Sequence, residues 1–160
     1  MYKPKLPPNF EILIVDDDKI CCLLHKNLLK DANTEQPPVI FRNAKRALEY
    51  VESRNSHRNC FLIFLDLNMP LFNGWDFLNR LNSSKLNCHI HIVLATSSIQ
   101  KKDEVTSTRF EKVIGFCRKP LKAEHIQKVK KLKEISGYFT SGKIFPKASE
   151  SLEFSPEASE

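Results

Sequence analysis

Phe61 to Pro70 reads FLIFLDLNMP. Its first five residues are an unbroken apolar run, closed by Asp66 and a turn-forming Asn-Met-Pro. A run this short predicts a strand buried on both faces. A second run, ILIVDDD from Ile12, ends in the same way on Asp16 and Asp17, and Glu11 to Val15 is its predicted strand. A carboxylate pair and a third carboxylate, each just past a buried strand, suit a hard divalent cation and a phosphoryl group.

Outward from these runs, short β-rich segments alternate with helical ones. Lys19 to Leu29 is a predicted helix with Ile20, Leu23, Leu24 and Leu28 on one face. Asp18 is its candidate cap, because a short acceptor before a helix satisfies free amide donors. Pro37-Pro38 precedes a short strand at Val39 to Phe41, and Ala44 to Val51 is a helix striped by Ala47, Leu48 and Val51. A loop from Pro70 to Gly74 leads into a helix over Trp75 to Leu81. There follow a strand at Ile90 to Leu94, a weakly periodic helix at Lys101 to Phe110 and a strand at Val113 to Cys117. The last helix is predicted over Ala123 to Ile135, with Ile126, Val129, Leu132 and Ile135 inward. Five β-then-α units predict an α/β fold, a parallel sheet covered on both faces by right-handed crossovers: a doubly wound three-layer sandwich. Such folds bind ligands at the carboxyl ends of their strands. Residues 1–8 read as a short N-terminal extension. Residues 137–160, rich in Ser and Glu, read as a disordered or loosely attached tail.

Composition narrows the function. With 160 residues, 41% of them hydrophobic, the chain can bury one full core without staples. The longest apolar stretch, Cys60 to Leu65, is far short of a membrane span. MYKPKLPPNF at the start lacks the apolar segment of a secretory signal, so a cytoplasmic location is the default expectation. Five cysteines, an odd number without CxxC spacing, read as reduced and mostly buried thiols. The vicinal pair Cys21-Cys22 is either redox-active or two helix residues facing different sides. The net charge of +6 is scattered, apart from Lys122, Lys128, Lys130, Lys131 and Lys133 near the last helix. That face is either solvated or a dock for an acidic protein partner.

The polar residues of interest all sit just beyond a predicted strand. Asp16 and Asp17 follow the first, Asp66 the third, Thr96 with Ser97 and Ser98 the fourth, and Lys119 before Pro120 the fifth. Mg²⁺ takes oxygen ligands in an octahedron. Asp17 and Asp66 can bind it directly, Asp16 through a water, and the Asn68 backbone carbonyl can complete the protein's share. Crowded carboxylates repel, so a bound cation or the Lys119 ammonium is needed beside them. A carboxylate can accept a phosphoryl group. The charge that spreads over the transferring oxygens would be met by Mg²⁺, Lys119 and Thr96.

These segments, ILIVDDD, LIFLDLNMPLFNGWDFL, IVLATSS and GFCRKPL, together resemble the response-regulator receiver domain of two-component signalling, over roughly Asn9 to Ser136. The resemblance implies a flavodoxin-like sheet with strand order 2-1-3-4-5 and a domain over residues 9–136. It implies that Asp66 is the phosphoacceptor, with Asp16 and Asp17 the acid pair for Mg²⁺. Thr96 is then the switch hydroxyl, Lys119 the phosphate-binding ammonium and Phe116 the aromatic that changes burial with the switch. Gly74 matches the glycine of the loop after the acceptor, and Asn68 and Ser98 lie where dephosphorylation is tuned. A histidine kinase or a histidine phosphotransfer protein is the implied phosphodonor. The expected role is a stand-alone signalling switch rather than an enzyme.

Two other readings share some of these residues. Asp16-Asp17-Asp18 contains the Asp-x-Asp of haloacid-dehalogenase-like phosphatases. That family needs a late acidic motif, and none follows Lys119 at a strand end. A phosphorylation-independent, receiver-like binding module is the other, and the intact Asp, Thr and Lys set argues against it. Too few residues follow the last helix for a helix-turn-helix output module, so direct DNA binding is not expected.

Overall fold

Residues 6–30, 36–97 and 100–140 are described by a computed structural model. Five parallel strands form one sheet in the order β2-β1-β3-β4-β5. They are β1 (Asn9–Val15), β2 (Val39–Phe41), β3 (Asn59–Leu65), β4 (His89–Thr96) and β5 (Val113–Arg118). The helices are α1 (Lys19–Leu29), α2 (Ala44–Ser53), α3 (Gly74–Ser83), α4 (Lys101–Ser107), α5 (Ala123–Lys130) and the short α6 (Gly137–Thr140). This is the expected flavodoxin-like, three-layer arrangement.

The unbroken apolar runs explain the two cores. Successive strand side chains point to opposite faces. Leu13, Val15, Phe61, Ile63 and Leu65 therefore pack with Ala47, Leu48 and Val51 of α2 and Phe77, Leu78 and Leu81 of α3. Ile12, Ile14, Leu62 and Phe64 pack on the other face with Cys22 and Leu29 of α1 and Ile126 and Val129 of α5. With about 1.5–3 kcal/mol from each large apolar side chain fully buried, both layers are needed to offset chain entropy.

Four elements differ from the sequence expectation, one of them only in that α4 ends at Ser107 rather than Phe110. Of the predicted α1 face, Ile20, Leu23 and Leu24 look outward, with Ile20 68% exposed, while Leu28 packs partly buried against the core. The buried residues are Cys22, His25 and Leu29, which form a second helical stripe on the same helix. Local bonds hold this phase. Asp18 accepts from the Ile20 and Cys21 amides, and the Cys22 thiol donates to the Asp16 carbonyl.

The last predicted helix stops at Lys130 rather than Ile135. Its apolar residues recur every three positions (126, 129, 132, 135), and the backbone beyond Lys130 follows that tighter period. Leu132, Ile135 and Tyr138 donate their amides to Val129, Leu132 and Ile135, the three-residue spacing of 3₁₀ turns. Ile135 is still fully buried.

The predicted tail from residue 137 begins with structure. Tyr138 stacks on Phe10 with ring centroids 4.0 Å apart, Phe139 meets the same ring edge-on, and the Tyr138 hydroxyl donates to the Pro7 carbonyl at 2.7 Å. The remainder of the tail, 141–160, and Ser98 lie outside the described residues.

Candidate functional site

Strand register assembles the site. Ile12 to Val15 pair in step with Leu62 to Leu65, so the next residues, Asp16 and Asp66, leave the sheet side by side. The Asp66 amide donates to the Val15 carbonyl and the Asp16 amide to the Phe41 carbonyl. Thr96 ends β4, and Lys119 directly follows β5, its amide donating to the Thr96 carbonyl at 2.8 Å. All four residues thus stand on the carboxyl rim of the sheet, the expected crevice of such folds.

Burial at this rim is unusual for charge. Asp16 is 2% exposed, Asp66 4% and Thr96 0%. One carboxylate oxygen each from Asp16, Asp17 and Asp66 lie within 4.8 Å of one another. The Lys119 ammonium donates to Asp16 Oδ2 at 2.8 Å and to Asp66 Oδ2 at 3.3 Å. Burial pulls the lysine's pKa down, but the hydrogen bond and charge of Asp16, with the charge of Asp66, hold it above 10.5. Burial pushes Asp66 above 3.8, with the Asp16 charge adding to it; the Asn68 amide and Lys119 act in the opposite sense. Three carboxylates thus cluster, and two of them share one ammonium. Hard oxygen donors with charge left to neutralise fit a divalent cation such as Mg²⁺.

The loop after Asp66 is shaped by Gly74. A Cβ there would lie 2.6 Å from the Asp66 carbonyl oxygen and 2.7 Å from the Leu67 Cα. Its φ is not positive, so close approach, not backbone freedom, requires glycine. Asn73 then caps α3 through a reciprocal pair of bonds with Asp76. Leu71, in the same loop, takes a φ of 67° and is fully exposed.

Two contacts were not legible in the sequence. The Asn68 side-chain amide donates to Thr96 Oγ1 at 3.0 Å, while its backbone amide donates to Asp66 Oδ1 at 3.1 Å. One residue therefore touches both the carboxylate and the neighbouring hydroxyl. His25, 1% exposed, accepts the Leu121 amide at Nε2. No spacing rule marks His25, which lies between leucines and a lysine. Phe116 pairs with Leu94 across β4 and β5 and packs, half-buried, on the α2–α3 side of the sheet. The five cysteines are free, with Cys22 buried and Cys21 partly exposed. Among the described residues no helix is long and apolar enough to cross a membrane.

A doubly wound sheet with acidic, hydroxyl and ammonium groups on its carboxyl rim defines the class of fold and site. The family model for the response regulator receiver domain matches residues 12–131, and the chain belongs to that family, a family of signalling switches. It is 28% identical over 104 residues to the response regulator Rcp1 of Synechocystis, which covers 63% of this chain and 70% of that one. It is 26% identical over 122 residues to the 3′,5′-cyclic-nucleotide phosphodiesterase regA of Dictyostelium discoideum. That match covers 76% of this chain but 15% of the relative's length. Among solved structures, a two-component response regulator from Cytophaga hutchinsonii superposes with a TM-score of 0.66 at 20% identity, over 76% of this chain and 93% of that one.

Proposed function

We propose that this protein is a cytoplasmic, stand-alone response regulator that takes a phosphoryl group on Asp66 in a Mg²⁺-dependent reaction. The observation that carries this reading is the Asp66 carboxylate, buried at a strand end beside Asp16 and Asp17 and 3.3 Å from the Lys119 ammonium. The donor is a phosphohistidine on a histidine kinase or a histidine phosphotransfer protein. An Asp66 oxygen attacks phosphorus in line; the O–P bond forms as the N–P bond breaks, and the imidazole leaves with the bonding pair and takes up a proton. Asp16, Asp17, Asp66 and the Asn68 carbonyl would hold Mg²⁺, which when bound neutralises phosphoryl charge. Lys119 is already positioned to take a phosphoryl oxygen in place of Asp66 Oδ2.

Thr96 is the switch hydroxyl. It accepts a hydrogen bond from Asn68, and as a hydroxyl it can donate its own proton to a phosphoryl oxygen. Phe116 lies two residues before Arg118, the β5 partner of Thr96, and its half-buried ring would turn further inward as Thr96 moves. The changed surface, formed by α4, β5 and α5, would bind a protein target or precede onward transfer of the phosphate. A bias of a few kcal/mol is enough for such a switch. The exposed apolar face of α1, Ile20, Leu23 and Leu24, begins one turn from the capped acidic loop and supports docking of a protein donor there.

Acetyl phosphate with Mg²⁺ should add one hydroxylamine-labile phosphate, and a chelator should prevent it. Asp66→Asn should reduce labelling to background. Labelling of Asp66→Asn at the wild-type level would sink the assignment. No observation favours the phosphatase alternative.

A further inference from the structure

Lys119 reaches two carboxylates from a short connection, and both sides of that connection are tied down. On the strand side, the Lys119 amide donates to Thr96. On the helix side, Pro120 has no amide to give, so the next backbone donor is that of Leu121. Leu121 is 4% exposed and its N–H is directed at His25 Nε2, 3.3 Å away. A buried N–H left without an acceptor is destabilising, because it has lost its water partner and gained none. The connection is thus held in register with α1 by one side-chain acceptor.

That acceptor exists only in one protonation state and tautomer. Nε2 must carry no proton, which places the ring proton on Nδ1. Burial drives the imidazole below 6.5, against the pull of Asp16 and Asp18 and with the push of Lys119, so the neutral ring prevails. The position is also where α1 abandons its leucine face for the Cys22, His25 and Leu29 stripe. A polar residue takes an inward position there while Leu23 and Leu24 stay exposed.

We propose that His25 is a positioning residue for Lys119: by accepting the Leu121 amide it holds the connection that seats the ammonium on Asp16 and Asp66. The effect on phosphorylation rests on the reading of Asp66 as the acceptor; the effect on Lys119 does not.

The test compares wild type with His25→Gln, which keeps an acceptor near the Nε2 position, and with His25→Phe and His25→Met, which keep bulk and lose it. Two readouts are taken on protein shown to be folded by circular dichroism. One is the acylation rate of the Lys119 amine by acetic anhydride, mapped by mass spectrometry. The other is the rate constant for labelling by acetyl phosphate with Mg²⁺. Phe and Met should each acylate Lys119 faster and label about tenfold more slowly, whereas Gln should stay within about twofold of wild type on both. Unchanged Lys119 acylation in a folded Phe or Met variant overturns the proposal. So does a folded Gln variant with its lysine freed, even where Phe and Met fail to fold. Faster acylation in Phe and Met, with no labelling of any form including wild type, supports the positioning role and rejects the Asp66 reading instead.

Discussion

At the carboxyl end of the sheet the chain buries Asp16 and Asp66 with the Lys119 ammonium between them. At the amino end it half-buries rings: Phe10 stacked on Tyr138 and edged by Phe139. The two ends stand on the same strands and are finished by opposite chemistry. Desolvating charge costs several kcal/mol per ion, recovered only in part by pairing. Stacked rings gain from burial, and the one polar atom of the cluster, the Tyr138 hydroxyl, has a carbonyl partner. The aromatic end is therefore built to hold the sheet together. The charged end is held by its neighbours in an arrangement that opposes folding, as sites that must act often are.

That contrast can be broken by experiment. The largest effect is expected at Lys119. Lys119→Met strands two buried carboxylates and should cost about 3–5 kcal/mol in urea unfolding with chelator present. It should also slow acetyl phosphate labelling by about two orders of magnitude. A folded Lys119→Met that labels normally would separate the ion pair from the chemistry.

At the other end, Tyr138→Ala should lower stability by about 2 kcal/mol, since a half-buried ring and a hydrogen bond are lost. The labelling rate constant of the folded fraction should not change. A slower reaction at unchanged stability would mean that the two ends are coupled and the comparison fails.

The smallest effect on stability belongs to the outer face of α1. Leu23→Gln combined with Leu24→Gln should shift unfolding by less than about 0.5 kcal/mol and leave acetyl phosphate labelling alone. Transfer from a phosphohistidine protein should slow, because only that donor must dock. Equal loss with both donors would place these leucines in the fold rather than in an interface.

Much of this was legible in the residues. Runs such as FLIFLD and ILIVDD carry their strand, its burial and the carboxylate at its end in one short string. The helix α2 was legible because its apolar stripe is single, and Ala47, Leu48 and Val51 all face the core. Helix α1 was not, because it carries two interleaved stripes. Hydrophobicity favours Ile20, Leu23 and Leu24, yet the capping bonds of Asp18 and the partners of Cys22 and His25 select the other. The end of α5 has no clear sequence signal, because residues three apart suit an α-helix and a 3₁₀ turn alike. The contact of Asn68 with Thr96 joins residues 28 positions apart and has no local signature.

Residue order alone set the alternation of strands and helices, and with it a parallel sheet. It also determined which side chains stand at the strand ends, since backbone direction and strand length are local properties. Packing in three dimensions was needed to select which face of α1 is inside, to set Tyr138 and Phe139 against Phe10 at the amino end, and to anchor the connection carrying Lys119 on a buried histidine. Each of these depends on partners far apart in the chain. Their energies arise only when packing removes the water between them.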